Sequence, residues 1–241
     1  MAYKRAPITE AVIELRFARP LEQAVIERVT RRLRADYPLA DPENQVKLEF
    51  DAVTRKAKIE TTWTGVRLSS ADRADVSFFR TFAFGSSRLA PYAGWEAFQP
   101  RVASDWRVLR DTVGPIELSR IGVRYVNRID VPLDNSPLIR GPDYLNVWPM
   151  SPDQLGAPMT AYTMQTVRPL VVDDCILTLN SGIVPSPLIG FASFTLDLDV
   201  SRETNLPRRD DELWALVERI RHHKNSIFER CITDRARALF Q

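Results

Sequence analysis

The chain has 241 residues, with 33 Lys+Arg against 31 Asp+Glu, a formal net charge of +2, 44% hydrophobic and 27% charged residues. These values match compact soluble proteins and exclude disordered, coiled-coil and collagen-like classes. The near-neutral balance gives no bulk attraction to nucleic acid or membrane, so any anion site must be a local concentration of charge.

The amino terminus, MAYKRAPITEAV, lacks the unbroken apolar stretch of a signal peptide, and no run reaches the roughly 18 apolar residues of a bilayer span. Residues 7–17 alternate as a strand, with Ala11, Ile13, Leu15 and Phe17 on one face and Glu10, Val12, Glu14 and Arg16 on the other. From Leu21 the period becomes helical, through Val25, Ile26, Val29 and Leu33, and Pro38 ends the segment. Strands are expected over 46–54, 57–66 and 75–84, the Arg55-Lys56 step suiting a hairpin. The segment Leu89–Trp95 then places Tyr92 and Trp95 in a loop leading into a second helix. There they either staple that helix to the core or present a hydrophobic contact to a protein partner. The helix carries Trp95, Phe98, Val102, Trp106, Leu109 and Val113 on one stripe, has Pro100 near its first turns, and is closed by Gly114-Pro115.

Between Glu117 and Pro132 the chain reads ELSRIGVRYVNRIDVP. Ile121, Val123, Tyr125 and Ile129 alternate with Arg120, Arg124 and Arg128, so three permanently charged guanidinium groups share one face of one strand. Each must be solvated, paired with a carboxylate, or aimed at an anion. Arg120 and Arg128 lie about 26 Å apart along an extended strand, so the row cannot clamp a single phosphate. After a connection with a weak helical turn near Tyr144 to Val147 come strands at about 160–169, 174–180 and 191–200. A long helix from near Asp210 follows, with Leu213, Val217, Ile220, Ile227 and Cys231 on its stripe. Cys175 and Cys231 fall in apolar surroundings and suit buried reduced thiols in a cytoplasmic protein.

Each half of the chain thus runs strand, helix or its vestige, three strands, helix. The expected fold is α+β, a pseudo-two-fold arrangement of about eight mostly antiparallel strands, as a curved sheet or barrel, with three main helices packed on one face. The halves, 1–116 and 117–241, are expected to form one compact unit. The uncovered face is polar, with charges of both signs: Glu10, Glu14, Lys47, Glu49, Asp51, Lys58, Glu60, Arg80, the three arginines, Gln165, Thr178, Asn180, Asp197 and Asp199. Such a face is either solvated and paired across strands or, if the sheet curls, the lining of a cavity.

The stretches PITEAVIELRF, SRLAPYAGWEAF, RIGVRYVNRI and HHKNSIFERCIT together resemble a sporadically distributed, uncharacterised bacterial protein family of about this length. That resemblance implies a bacterial origin, spans nearly the whole chain and carries over no activity; its distribution suggests a defence-associated setting. A weaker similarity is to triphosphate tunnel enzymes, whose first strand carries Glu-x-Glu-x-Lys. Here the matching face reads Glu10, Val12, Glu14, Arg16, with valine interrupting the acidic pair and arginine in place of lysine. That similarity implies Mg or Mn held by Glu10, Glu14, Asp197 and Asp199, with Arg80, Arg120, Arg124 and Arg128 on phosphate oxygens.

No catalytic signature is complete. His222 and His223 are adjacent on a helix, where side chains diverge by about 100°, and His223 is expected to pack beside Ile220 and Ile227. The nine glycines form no phosphate loop. The reading therefore leans to binding rather than catalysis: an accessory protein, without a cofactor, holding a protein partner or extended ligand on its charged concave sheet face. Arg80, Arg120, Arg124, Arg128, Glu10 and Glu14 are the candidates for that contact. The alternatives are the metal-dependent triphosphate or polyphosphate enzyme and a nucleic-acid-binding saddle, which the neutral charge disfavours. If the arginine-rich strand lies beside the first strand, Glu10 and Glu14 neutralise the row.

Overall fold

The computed structural model describes residues 3–51, 55–133, 139–150 and 159–241. The chain is α+β: β1 (Ile8–Phe17), α1 (Gln23–Arg32), β2 (Leu39–Asp51), β3 (Lys56–Ser69), β4 (Asp75–Arg80), β5 (Ala83–Leu89), α2 (Trp95–Val113), β6 (Leu118–Pro132), β7 (Thr163–Leu170), β8 (Cys175–Val184), β9 (Phe191–Arg202), α3 (Asp210–Cys231) and α4 (Asp234–Ala238). Among the described residues the sheet has nine strands in the order β2-β3-β4-β5-β1-β6-β9-β8-β7, and it does not close into a barrel. Among the described residues no helix is long and apolar enough to cross a membrane.

Nine strands replace the expected eight because the run over 75–84 is two. Arg80 faces Ala83 across the turn at Thr81 and Phe82, with no glycine or asparagine to betray it in the sequence. The strand expected at 46–54 starts earlier, at Leu39, and a bulge between Glu43 and Asn44 lies within it; residues 52–54 of that expectation lie outside the described residues. The turn expected at Tyr144 to Val147 sits slightly earlier, at Gly141–Asp143, and Leu145 instead bridges Ile232. A fourth helix, α4, begins at Thr233, whose hydroxyl accepts from the Ala236 amide at 3.3 Å.

The chain divides into two compact units: residues 14–89 with 93–119, and residues 1–13 with 90–92 and 120–241. In the first, α1 lies on β3 and β4 and against α2, which covers β5. Phe79, Phe84 and Trp106 stack at 5.2 and 5.8 Å in this core, and each apolar side chain of that size contributes roughly 1.5–3 kcal/mol by leaving water. Trp95 and Phe98 also meet edge to face at 6.1 Å, and Trp95 is buried. In the second unit α3 packs on β9, over Phe194, Leu196, Leu198 and Val200. Gly141 cradles Trp148 so closely that a Cβ there would meet the indole at 1.7 Å.

The first unit also buries a polar network. Tyr37 donates its hydroxyl to Asp105 at 2.6 Å, and Arg101 donates to Tyr37 at 2.6 Å and to Ser86 at 2.9 Å. Asp105 is 3% exposed, and burial pushes its carboxyl up to about 6, against the lowering effect of Tyr37 and Arg101. Since the folded-state value exceeds the unfolded value of 3.8, the folded chain holds the extra proton between the two. The contribution of this group is fully present below the unfolded value and is lost as pH rises through the folded one. Chemical denaturation at several pH values should therefore show the stability of the wild type relative to Asp105→Asn falling by roughly 2–3 kcal/mol between about pH 4 and pH 7; a constant difference across that range contradicts the assignment.

Candidate functional site

The sheet face opposite the helices is built by strand alternation. Along β6 the odd positions Ile121, Val123, Tyr125, Ile129 and Val131 are buried, and the even positions carry the arginines. β9 runs antiparallel beside it, with Arg124 facing Asp199 and Val126 facing Asp197. Each arginine finds a carboxylate there or on its own strand. Arg120 donates to Asp199 at 2.6 Å and lies 3.7 Å from Glu203. Arg124 grips Asp197 with two bonds of 2.8 Å, and Arg128 is paired with Asp130 at 3.0 Å.

The row is therefore neutralised, but chiefly by β9 and by Asp130 rather than by the first strand. Glu10 contributes a smaller share: the bond to Asp197 raises the Arg124 pKa above its ordinary value, and the charges of Asp199 and Glu10 add to it. Glu14 instead accepts from Arg16 at 2.7 Å and exerts a weaker pull on Arg80. Arg80 belongs to a separate group in the other unit, held by Glu43 at 2.6 and 3.0 Å, with its guanidinium 4.4 Å over the Phe78 ring. The six candidates are thus divided between the units: Glu10, Arg120, Arg124 and Arg128 in one, Glu14 and Arg80 in the other.

The metal set implied by the tunnel-enzyme similarity is not assembled. Asp197 and Asp199 face arginines, and among the described residues no three His, Cys, Asp or Glu gather in a way that could hold a metal ion. In the strand order β2 and β7 are end strands and do not pair with each other among the described residues. Tyr92 is partly buried and shares a 2.7 Å hydrogen bond and an edge-to-face contact with Tyr125, and Trp95 is 7% exposed. His223 is not the apolar packing residue expected. Its Nε2 lies 2.7 Å from Asp173, and that bond holds the aspartate below the usual carboxylate range. The neighbouring Cys175 thiol is buried and pushed up to about 11, which leaves it poorly suited as a nucleophile for this pair.

Gln165 and Asn180 lie on the polar face as expected, but how they pair was not legible in the sequence. Asn180 on β8 donates to Asp197 at 3.0 Å and accepts from Gln165 on β7 at 2.8 Å. A continuous side-chain chain, Arg124–Asp197–Asn180–Gln165, therefore crosses four strands. A cleft of about 590 Å³ is lined by Arg202, Arg208, Arg209 and Arg219 around Leu206 and Leu216; Arg202 bonds the Thr204 carbonyl, Arg209 pairs with Asp211 and Arg219 with Asp173. Lys224 occupies the core stripe of α3, 4% exposed, with Nζ 3.3 Å from the centroid of Tyr125. It stands four residues after Ile220 and four before Phe228, where helical spacing requires an inward side chain. Ile227, expected on this stripe, is only partly buried, and Lys224 and Phe228 take the inward positions.

Burial pushes the Lys224 amine well below its ordinary value, and nearby Arg221 adds to the shift. A depressed lysine disfavours the folded state while the unfolded chain stays protonated, and this penalty is relieved as pH rises toward 10.5. Lys224→Met should accordingly stabilise the protein by about 1–3 kcal/mol at neutral pH, with the gain shrinking at alkaline pH; thermal unfolding across pH measures both.

Arg120 lies over Gly122 on its way to Asp199: a Cβ there would meet its guanidinium nitrogen at 2.4 Å. Because the end of a long side chain can give way, Gly122→Ala should cost no more than about 1 kcal/mol in urea unfolding, and that cost should be absent in an Arg120→Ala background, since the two residues act as one unit. No family model matches the sequence, and no curated protein matches it as a relative.

Proposed function

We propose that the chain is a bacterial accessory protein that binds a protein partner through the polar sheet face of β6, β9, β8 and β7. The observation that carries this reading is the cross-strand chain Arg124–Asp197–Asn180–Gln165, whose groups hold one another in place by hydrogen bonds. Arg124 remains 48% exposed at its side chain while Asp197 is 8% exposed. The arginine is thus a held but reachable donor above a buried acceptor, an arrangement that loses little side-chain freedom on binding.

The same pairing argues for a polypeptide rather than a free phosphate. An anion would have to displace Asp197 or Asp199 from guanidinium groups that already hold them by short charge-assisted bonds. A protein surface of mixed donors and acceptors can add to the face without breaking those pairs, and arginines of this kind are frequent hot spots of protein interfaces.

In a quantitative affinity capture from bacterial lysate, wild-type protein should enrich a defined partner that the Arg124→Ala/Gln165→Ala variant retains at least about 10-fold less, the loss expected when a hot-spot contact of about 1.4 kcal/mol is removed. Circular dichroism checks that the variant is folded. Identical captured sets for the two proteins would sink the reading.

A further inference from the structure

The far half of the β2–β3 hairpin has exposed residues on both of its faces from Asn44 to Phe50 and from Ala57 to Thr62. One face carries Val46, Leu48 and Phe50 with Ile59 opposite Leu48, and these four side chains are 63%, 66%, 67% and 68% exposed. The other face carries Lys47 and Glu49, facing Glu60 and Lys58 across the pair, with Lys47–Glu49 and Lys58–Glu60 ion pairs along each strand. β2 is also an end strand of the sheet, so its outer backbone groups lack a strand partner. Pro42 and the bulge after Glu43 interrupt that edge only in its near half.

An apolar row beside an open strand edge is a template for another strand, and the charges on β2 say which strand fits. We propose that β2 pairs antiparallel with β2 of a second copy of this chain, about a two-fold axis through Leu48. In that register Leu48 faces its own copy, Val46 faces Phe50, and Lys47 faces Glu49 twice over. The apolar face continues across the junction as Ile59, Leu48, Leu48 and Ile59, while the polar face alternates in sign as Lys58, Glu49, Lys47 and Glu60.

The competing registers are worse for stated reasons. Moving the axis to Lys47 or to Glu49 sets like charges directly opposite, which is destabilising. A shift by one residue places polar side chains among the apolar row, because facing residues of a pair share a face. The pairing needs no participation of the polar face on β6 to β9, so its failure leaves the partner-binding proposal standing, and the reverse holds too.

Sedimentation velocity on the full chain from roughly 1 to 100 µM tests it. The wild type should show a concentration-dependent dimer, and Leu48→Asp should be monomeric throughout. Leu48 is largely exposed, so folding is retained, as circular dichroism would check. Lys47→Glu alone and Glu49→Lys alone should each weaken the dimer on the order of 3- to 10-fold by setting like charges opposite. Mixing these two single variants should restore it as a heterodimer with opposite charges in both rows. A wild type monomeric at all concentrations, a Leu48→Asp dimer, or single-charge variants no better mixed than alone would each overturn the proposal.

Discussion

Strand β6 has to satisfy two opposite requirements within fifteen residues. Its odd positions lie in a core where water is excluded, and its even positions bear guanidinium groups that cannot lose their charge. A slip of one residue against β9 would drive the arginines into that core, so the register is tightly specified. The aspartates of β9 reinforce it from the other face, since Asp197 and Asp199 meet Arg124 and Arg120 only in the observed alignment. Each such pair adds little net stability when partly exposed; its main effect is to make one alignment better than its neighbours.

Charge inside the protein is handled in two ways. On the sheet face, carboxylates and guanidinium groups meet at hydrogen-bond distance and extend through amides, so desolvation is offset by direct bonds. Beneath the helices the compensation is incomplete. Asp105 is held by Tyr37 and yet shifted toward its neutral form, and Lys224 has an aromatic face beneath it. Both oppose burial of the charged form, which makes them the groups through which pH acts on folding.

The open face and the hairpin arm present different kinds of surface. The first is polar, with its hydrogen bonds already arranged; the second is an apolar row next to an unpaired strand edge. A polar face of that sort gives specificity with little apolar area, whereas an arm of exposed Leu, Ile and Phe supplies the apolar area and little orientation beyond its backbone. The two properties lie on different strands of the sheet, and each is open to its own kind of contact.

Alternation along β1 and β6, the helical stripe of α2, most of that of α3, and the α+β class were legible in the amino-acid order, because a period of two or of 3.6 is a local property of the chain. The strand count was not: the turn at Thr81 and Phe82 uses residues that also suit a strand, and only hydrogen bonding between Arg80 and Ala83 reveals it. Nor were the partners of the arginines. Their presence on one face followed from spacing, but each guanidinium pairs according to which strand lies alongside and in what register, and β9 joins β6 from about 60 residues further along the chain. Lys224 shows the same limit, since the stripe expected for its helix left it out and the structure buries it. Local periodicity determined the faces of the elements; the tertiary pairing decided which groups meet across them, because contact between distant residues depends on topology and not on neighbouring sequence.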